Sequence, residues 1–242
     1  MKFSSIIWKE WLVFRSRFIS ITLSAVIGPL LYLIAFGWGL GNAVTIDGIN
    51  YTTFVIPGII AMTAMTTSYS IVANDINLSR IYAKTFEAVM VAPIKTAVFT
   101  LAKITASALY GLYSAALILL ISFLFNVSVA LDCYFLLLLL LNCYVFSSIG
   151  FIVGLLIDSH ADMAKISNFV ITPMSFLCGT FFPLDMFPSF LRIIFELLPL
   201  TQVVKGLREG LSASGSLVIL LILCGYLAVL LPISIKLCKS AE

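Results

Sequence analysis

The sequence predicts an all-α membrane protein: six transmembrane helices, an amphipathic helix ahead of the first, and re-entrant helices between the fifth and sixth. Three observations carry this. Of 242 residues, 62% are hydrophobic and only 10% charged, against about half and a quarter in soluble domains. The apolar residues gather in runs near the ~20 residues that cross a hydrocarbon core. Lys and Arg fall mostly to one side of those runs.

At the N-terminus, Phe3, Ile7, Trp11, Phe14 and Phe18 recur at helical spacing, with Lys2, Lys9 and Ser16 on another face. This predicts an interfacial helix with Trp8 and Trp11 at headgroup depth. The spans follow at Ile19–Leu40, Phe54–Ala73, Val98–Phe125, Tyr134–Ile157, Ile166–Phe182 and Leu217–Ile235. Gly37, Gly39 and Gly41 close the first as a flexible exit, the third is long enough to tilt, and Pro173 and Gly179 interrupt the fifth.

Charge sets the topology. With both termini in the cytoplasm, the inner side carries Lys2, Lys9, Arg15, Arg17, Arg80, Lys84, Lys95, Lys165, Lys236 and Lys239. The outer side carries only Arg192, Lys205 and Arg208. Lys103 lies near the inner side and can snorkel to it. Gly41–Thr53 and Asn126–Cys133 are then external loops, Asn74–Lys95 and Asp158–Lys165 internal ones. Pro183–Ser216 is external, yet Phe187, Phe190, Ile193, Phe195 and Leu197 make it too apolar for a solvated loop. Pro183, Pro188 and Pro199 cut it into pieces too short to span. A re-entrant or interfacial helix pair resolves that conflict.

Between the second and third spans, Arg80–Lys95 is a charged island. Tyr82, Phe86 and Met90 are spaced to share one helical face, and Lys84 and Glu87 to pair on another. Pro93 ends the run. This predicts a short helix along the membrane surface, which fits a partner-binding element and a solvated loop about equally.

Several function classes lose support. Apart from Lys103, the six runs hold almost no ionisable group, which argues against a proton- or sodium-driven pump. Their polar residues, among them Thr63, Thr66, Ser70, Asn142 and Thr172, suit hydrogen bonds between helices. Gly150 and Gly154 form a small-xxx-small pattern that permits close helix approach. Cys133, Cys143, Cys178, Cys224 and Cys238 contain no C-x-x-C pair and read as small buried hydrophobes. Asp158, His160 and Asp162 could suggest a metal or a membrane-embedded enzyme, but the run reads as a solvated loop and no metal site is expected. No G-x-x-x-x-G-K-[ST] occurs, so no ATP site is recognisable on this chain. The net charge of +3 is too small to suggest nucleic acid, and a cleavable signal peptide is not expected.

The order of these elements resembles the permease subunit of ABC-2 type transporters, the exporter class that includes polysaccharide, lipo-oligosaccharide and drug-efflux permeases. The resemblance spans nearly the whole chain. It is carried by Tyr51-Thr-Thr-Phe-Val-Ile-Pro57-Gly58, by Phe86-Glu87 through Ala92-Pro93-Ile94, by Gly179-Thr-Phe-Phe-Pro183, and by Arg192 with Pro199-Leu200-Thr201 and Arg208 as the C-terminal signature. Gln202 departs from the family, which more often has His, Tyr, Arg or Ser there.

The resemblance implies a single domain over residues 1–242. Residues 1–17 would be a connecting helix and Arg80–Lys95 a coupling helix that docks on a separate ATPase through Tyr82, Phe86, Glu87, Met90, Pro93 and Ile94. Residues 183–200 would form the outer re-entrant region, with Phe181, Phe182 and Pro183 at the outer gate. Thr63, Thr66, Ser70, Thr172, Met174 and Phe176 are the residues expected along a substrate path. The chain itself would be no enzyme and hold no cofactor, ATP and Mg being bound by the ATPase. A second permease copy, identical or homologous, would complete the unit in the cytoplasmic (inner) membrane, moving an amphipathic or lipid-linked substrate. A stand-alone secondary transporter or channel is the alternative.

Overall fold

A computed structural model describes residues 3–39, 45–46, 48–91, 94–124, 127, 131–211 and 215–240. Met1, Lys2, Gly41, Ala92, Pro93 and part of the Asn126–Cys133 loop lie outside the described residues, as does the side chain of Met90.

Helices dominate. α1 (Phe3–Ser16) is followed by α2 (Phe18–Tyr32), which widens into a π-helical stretch over Leu33–Trp38. A two-residue hairpin, β1 (Thr45–Ile46) with β2 (Ile49–Asn50), leads into α3 (Tyr51–Ile81). Asn50 caps α3, its Oδ1 accepting from the Thr52 amide at 3.0 Å, which satisfies one of the unpaired donors of a helix start. Then come α4 (Thr85–Val91), α5 (Thr96–Leu124) and α6 (Cys133–Leu156). α7 (His160–Ile166) runs through a π stretch (Ser167–Ile171) into α8 (Thr172–Leu177). α9 (Ser189–Glu196), α10 (Pro199–Glu209) and α11 (Ser216–Ser240) complete the chain.

Among the described residues, five helical segments are long and apolar enough to cross a membrane: Phe18–Phe36, Tyr51–Ile81, Thr96–Phe123, Cys133–Leu156 and Ser216–Ser240. The expected span at Ile166–Phe182 is helical only to Leu177. Its parts of 7, 5 and 6 residues together fall just short of the ~20 that cross a bilayer. Gly179, at φ +80°, turns the chain there, a conformation that costs a glycine little.

α3 is the hub, packed along α6 and α5. Glycine makes the α3–α6 contact close. A Cβ on Gly150 would lie 2.4 Å from the Tyr69 carbonyl oxygen, and one on Gly154 2.8 Å from that of Ala73. Asn142 donates to the Ala61 carbonyl at 3.0 Å across the same seam.

The apolar interior has two parts. The larger gathers around α3, α6 and α10. The smaller lies where α1, the end of α3, α4, the start of α5 and the end of α6 meet. α2 and α11 expose most of their apolar surface.

Some expectations change. α3 continues eight residues past Ala73, so Asp75 and Arg80 lie on the helix and not in a loop. α1 buries Ile6 and Glu10, while Phe3, Trp11 and Phe18 are exposed. The apolar stripe is therefore split: Phe3, Trp11 and Phe18 are exposed, as suits a helix whose outer solvent is lipid, while Ile7 and Phe14 are partly buried against the protein. Cys133 and Cys224 are exposed, whereas Cys143, Cys178 and Cys238 are buried. The three prolines of the segment after α8 do punctuate it: Pro183 precedes a short 3₁₀ turn (Leu184–Met186), Pro188 precedes α9, and Pro199 starts α10.

Candidate functional site

At one end of the bundle, α4 hangs between α3 and α5. Phe86 plants it there: the ring is buried, lies edge-on to Phe99 at 6.1 Å, and Phe99 in turn meets Phe151 at 6.5 Å. Glu87 and Val91 are exposed on α4, and Ile94 is partly buried against the same cluster. Tyr82 does not share a face with Phe86. It sits in the turn before α4 and is exposed, because α3 runs on to Ile81 and Lys84 takes up φ +49°. The expected Lys84–Glu87 pair is absent among the ion pairs of the described residues, since Lys84 lies outside the helix. The turn is held from above: Asn77 donates to the Ile157 carbonyl at 2.8 Å, and Arg80 bonds the Leu155 carbonyl and Asp158. Asp162 pairs with Lys165 at 2.6 Å, so both carboxylates flanking exposed His160 are already engaged.

In the middle, α2, α3 and α8 enclose a cavity of about 250 Å³ lined by Thr63, Thr66, Thr172 and Phe176, with Ser24 and Tyr32 opposite. It adjoins a cavity of about 520 Å³ that reaches Ser70, Asn74, Asp75, Arg17 and Glu10. Ser24, Ala25, Thr66 and Thr67 line both. Of the six residues expected along a path, five line this pair of cavities, whereas Met174 packs against the larger apolar cluster. The walls are mild. Thr63 donates to the Ile59 carbonyl at 2.7 Å, Thr66 to that of Thr63 at 3.2 Å, and Ser175 to that of Ile171 at 2.8 Å. Their hydroxyls spend their protons on their own helices and present acceptor lone pairs to the space.

Above that space is an aromatic plug. Phe181, fully buried, stacks on Phe176 at 5.3 Å and meets Phe36 at 5.0 Å and Tyr32 at 5.4 Å. Phe182 points away and is exposed, and Pro183 is partly buried.

The end of the bundle remote from α4 is tied by Arg208 on α10. Its Nε donates to the Phe54 carbonyl and its Nη2 to the Thr180 carbonyl, each at 3.0 Å. Tyr51 donates to the Phe181 carbonyl at 3.0 Å, and a Cβ on Gly58 would lie 2.9 Å from the Thr180 Cα. The stretches Tyr51–Gly58, Gly179–Pro183 and Pro199–Arg208, far apart in sequence, thus meet at one place. Burial pushes the Arg208 pKa down to about 9, which leaves the guanidinium charged at neutral pH. Arg192 lies apart on α9, paired with Asp185 at 2.5 Å and Glu196 at 3.0 Å. Leu200 is fully buried beside Pro199 in the larger cluster's neighbourhood.

The sequence pattern described as "ABC-2 type transporter" matches residues 1–212. The chain belongs to the ABC-2 type transporter family. The inner membrane transport permease YadH of Escherichia coli K12 is 28% identical over 200 residues, covering 80% of this chain and 78% of that one. Nodulation protein J of Rhizobium meliloti strain 1021 is 27% identical over 220 residues, covering 86% and 82%. The same-named protein of Rhizobium leguminosarum bv. viciae is 26% identical over 237 residues, covering 92% and 88%.

For this ABC-2 chain, the sequence left one charged cluster unread. Lys103 does not snorkel. Its Nζ lies 2.6 Å from Glu10 Oε1 and 2.6 Å from Asp75 Oδ2, with the Lys103 and Glu10 side chains 7% and 11% exposed. A signal was present: Glu10 falls four residues after Ile6, on the one face of α1 that turns inward.

Proposed function

We propose that this ABC-2 protein is the transmembrane subunit of an ATP-driven exporter, powered by a separate ATPase that docks on α4. The observation that carries this reading is the seating of α4. Phe86 fixes the helix in the interior while Tyr82, Glu87 and Val91 stay exposed, so a force applied to α4 reaches α3 and α5 without slack. Binding energy shifts a two-state equilibrium only through differential affinity, and a rigid input element is what lets an ATPase bias the spans.

In this reading His160–Leu177 serves as the fifth of six spans, both termini face the cytoplasm, and residues 1–242 act as one domain. The linked cavities between α2, α3 and α8 form half of a path, Phe181 closes it outward, and a second permease copy supplies the other half. The exposed apolar faces of α2 and α11 then meet that copy or lipid. Walls of neutral hydroxyls and aromatic rings in the 250 Å³ cavity suit an amphipathic or lipid-linked substrate. ATP and Mg belong to the partner.

The Glu10–Lys103–Asp75 cluster, with Glu10 and Lys103 buried, removes one argument against a stand-alone carrier, the lack of ionisable groups in the spans. The family, not that absence, is what disfavours the carrier. The test is co-expression with an ATPase encoded alongside. The pair should co-purify and hydrolyse ATP in lipid nanodiscs, and Glu87→Lys should weaken both. Transport by the chain alone, driven by an ion gradient, would overturn the reading.

A further inference from the structure

We infer that Lys103 is a positioning residue: it splices α1 to the α3–α4–α5 hairpin, so that the N-terminal helix and α4 move as one block. The inference rests on the reading of α4 as the input element, but its structural core is separate from it.

Each part of the splice comes from a different helix. Glu10 lies on α1, Asp75 on α3 two turns before that helix ends, and Lys103 on α5 two turns after it begins. α4 is the link between α3 and α5. One turn below Lys103, Phe99 receives the ring of Phe86 from α4, and the Lys103 ammonium lies 6.0 Å from the Phe99 ring centre. A continuous chain of contacts therefore runs from α4 through Phe86, Phe99 and Lys103 to Glu10.

The remaining contacts of α1 are apolar or weakly directional. Ile6 enters the small cluster, and Phe14 meets Tyr110 at 5.3 Å and Tyr113 at 5.0 Å. Tyr110 donates to the Glu10 carbonyl at 3.2 Å. Trp8, Trp11 and Leu12 face outward, so lipid satisfies α1 about as well wherever it slides along the surface. Apolar contact holds α1 close, and the Tyr110 hydrogen bond ties its backbone at one point only. The two 2.6 Å ion pairs to one ammonium fix its position. Removing Lys103 leaves the carboxylates of Glu10, 11% exposed, and Asp75, 40% exposed, facing each other; the buried Glu10 charge is then unpaired, which is strongly unfavourable, and repulsion drives α1 off its seat.

The experiment places spin labels at Leu12→Cys and Val91→Cys, with exposed Cys133 and Cys224 replaced by Ser, and measures their separation by pulsed electron resonance in nanodiscs. The original chain should give one narrow distance. Lys103→Arg should keep it and Lys103→Met should lose it. If Lys103→Met does not fold, Glu10→Gln, which retains the Lys103–Asp75 pair, should show the same loss. A broad distance in the original chain, or a narrow one in Lys103→Met or Glu10→Gln, overturns the splice. In the assembly with the ATPase, vanadate trapping should leave the Leu12–Val91 separation unchanged, and a change there also overturns it. The measurement on the chain alone stands even if no ATPase associates, so failure of the exporter reading and failure of the splice are told apart.

Discussion

The guanidinium carbon of Arg208 sits 3.6 Å from the centre of the Phe54 ring while its nitrogens bond the carbonyls of Phe54 and Thr180. One side chain thereby joins α10 to the start of α3 and to the turn that carries the aromatic plug. Hydrogen bonds from charged donors contribute about 1.5–3 kcal/mol each and do not sum fully within one network. Arg208→Ala should therefore lower stability by about 3 kcal/mol. Arg208→Lys should recover only part of that, because an ammonium cannot reach two carbonyls and cover a ring at once. Thermal unfolding in detergent measures both, and an Arg208→Ala protein as stable as the original would contradict the tie.

Phe86 and Glu87 are neighbours with opposite duties. Phe86→Ala opens a cavity between α4 and α5 and should cost about 3–5 kcal/mol. Glu87 is exposed in the first turn of α4, where a carboxylate is worth about 0.3–1 kcal/mol against the helix dipole. Glu87→Ala should thus melt close to the original chain and yet bind the ATPase more weakly. Equal loss of stability in both variants would mean that Glu87 is structural.

Glycines on and off the α3–α6 seam separate close approach from helix propensity. Alanine is favoured over glycine inside a helix by up to about 1 kcal/mol. Gly225→Ala inside α11, with nothing within 4 Å of the new Cβ, should realise some of that gain. Gly150→Ala sets its Cβ 2.4 Å from the Tyr69 oxygen and should instead cost about 1–3 kcal/mol through overpacking. Comparing the two melting temperatures checks the sign of each.

Fold class was legible because lipid imposes one rule on every span: long apolar runs with internally satisfied backbones. Proline placement between α8 and α10 was legible for an equally local reason, since each ring fixes a helix start. What could not be read were relations between distant residues. Asp75 looked like a loop residue because its charge ends an apolar run, although α3 continues under it to Ile81. Glu10 can be placed on one face of α1 with Ile6 by its spacing, but nothing in α1 announces that Lys103 waits on α5. The meeting of Tyr51, Gly58, Thr180 and Arg208 is invisible in any one segment. By contrast, Thr63, Thr66, Thr172 and Phe176, which only the resemblance groups, lie around one cavity, because α3 and α8 each turn one face to α2.

That cavity yields the last prediction. Thr66 lines both parts of the space, Ser70 the larger part, and Met174 neither. With Cys133 and Cys224 replaced by Ser, Thr66→Cys and Ser70→Cys should react readily with a small polar maleimide. Met174→Cys, turned into the larger apolar cluster, should react on the order of tenfold more slowly, since thiolate formation is suppressed in apolar surroundings. A bulky Thr66→Phe side chain should close the waist shared by the two cavities. In a Thr66→Phe/Ser70→Cys protein, labelling of Ser70→Cys from the larger cavity should persist, while in Thr66→Phe/Thr172→Cys labelling should slow. If the bulky residue slows neither position, the two cavities are not joined through Thr66. If Met174→Cys labels as fast as Thr66→Cys, α8 presents a different face to the space than the packing of Met174 indicates.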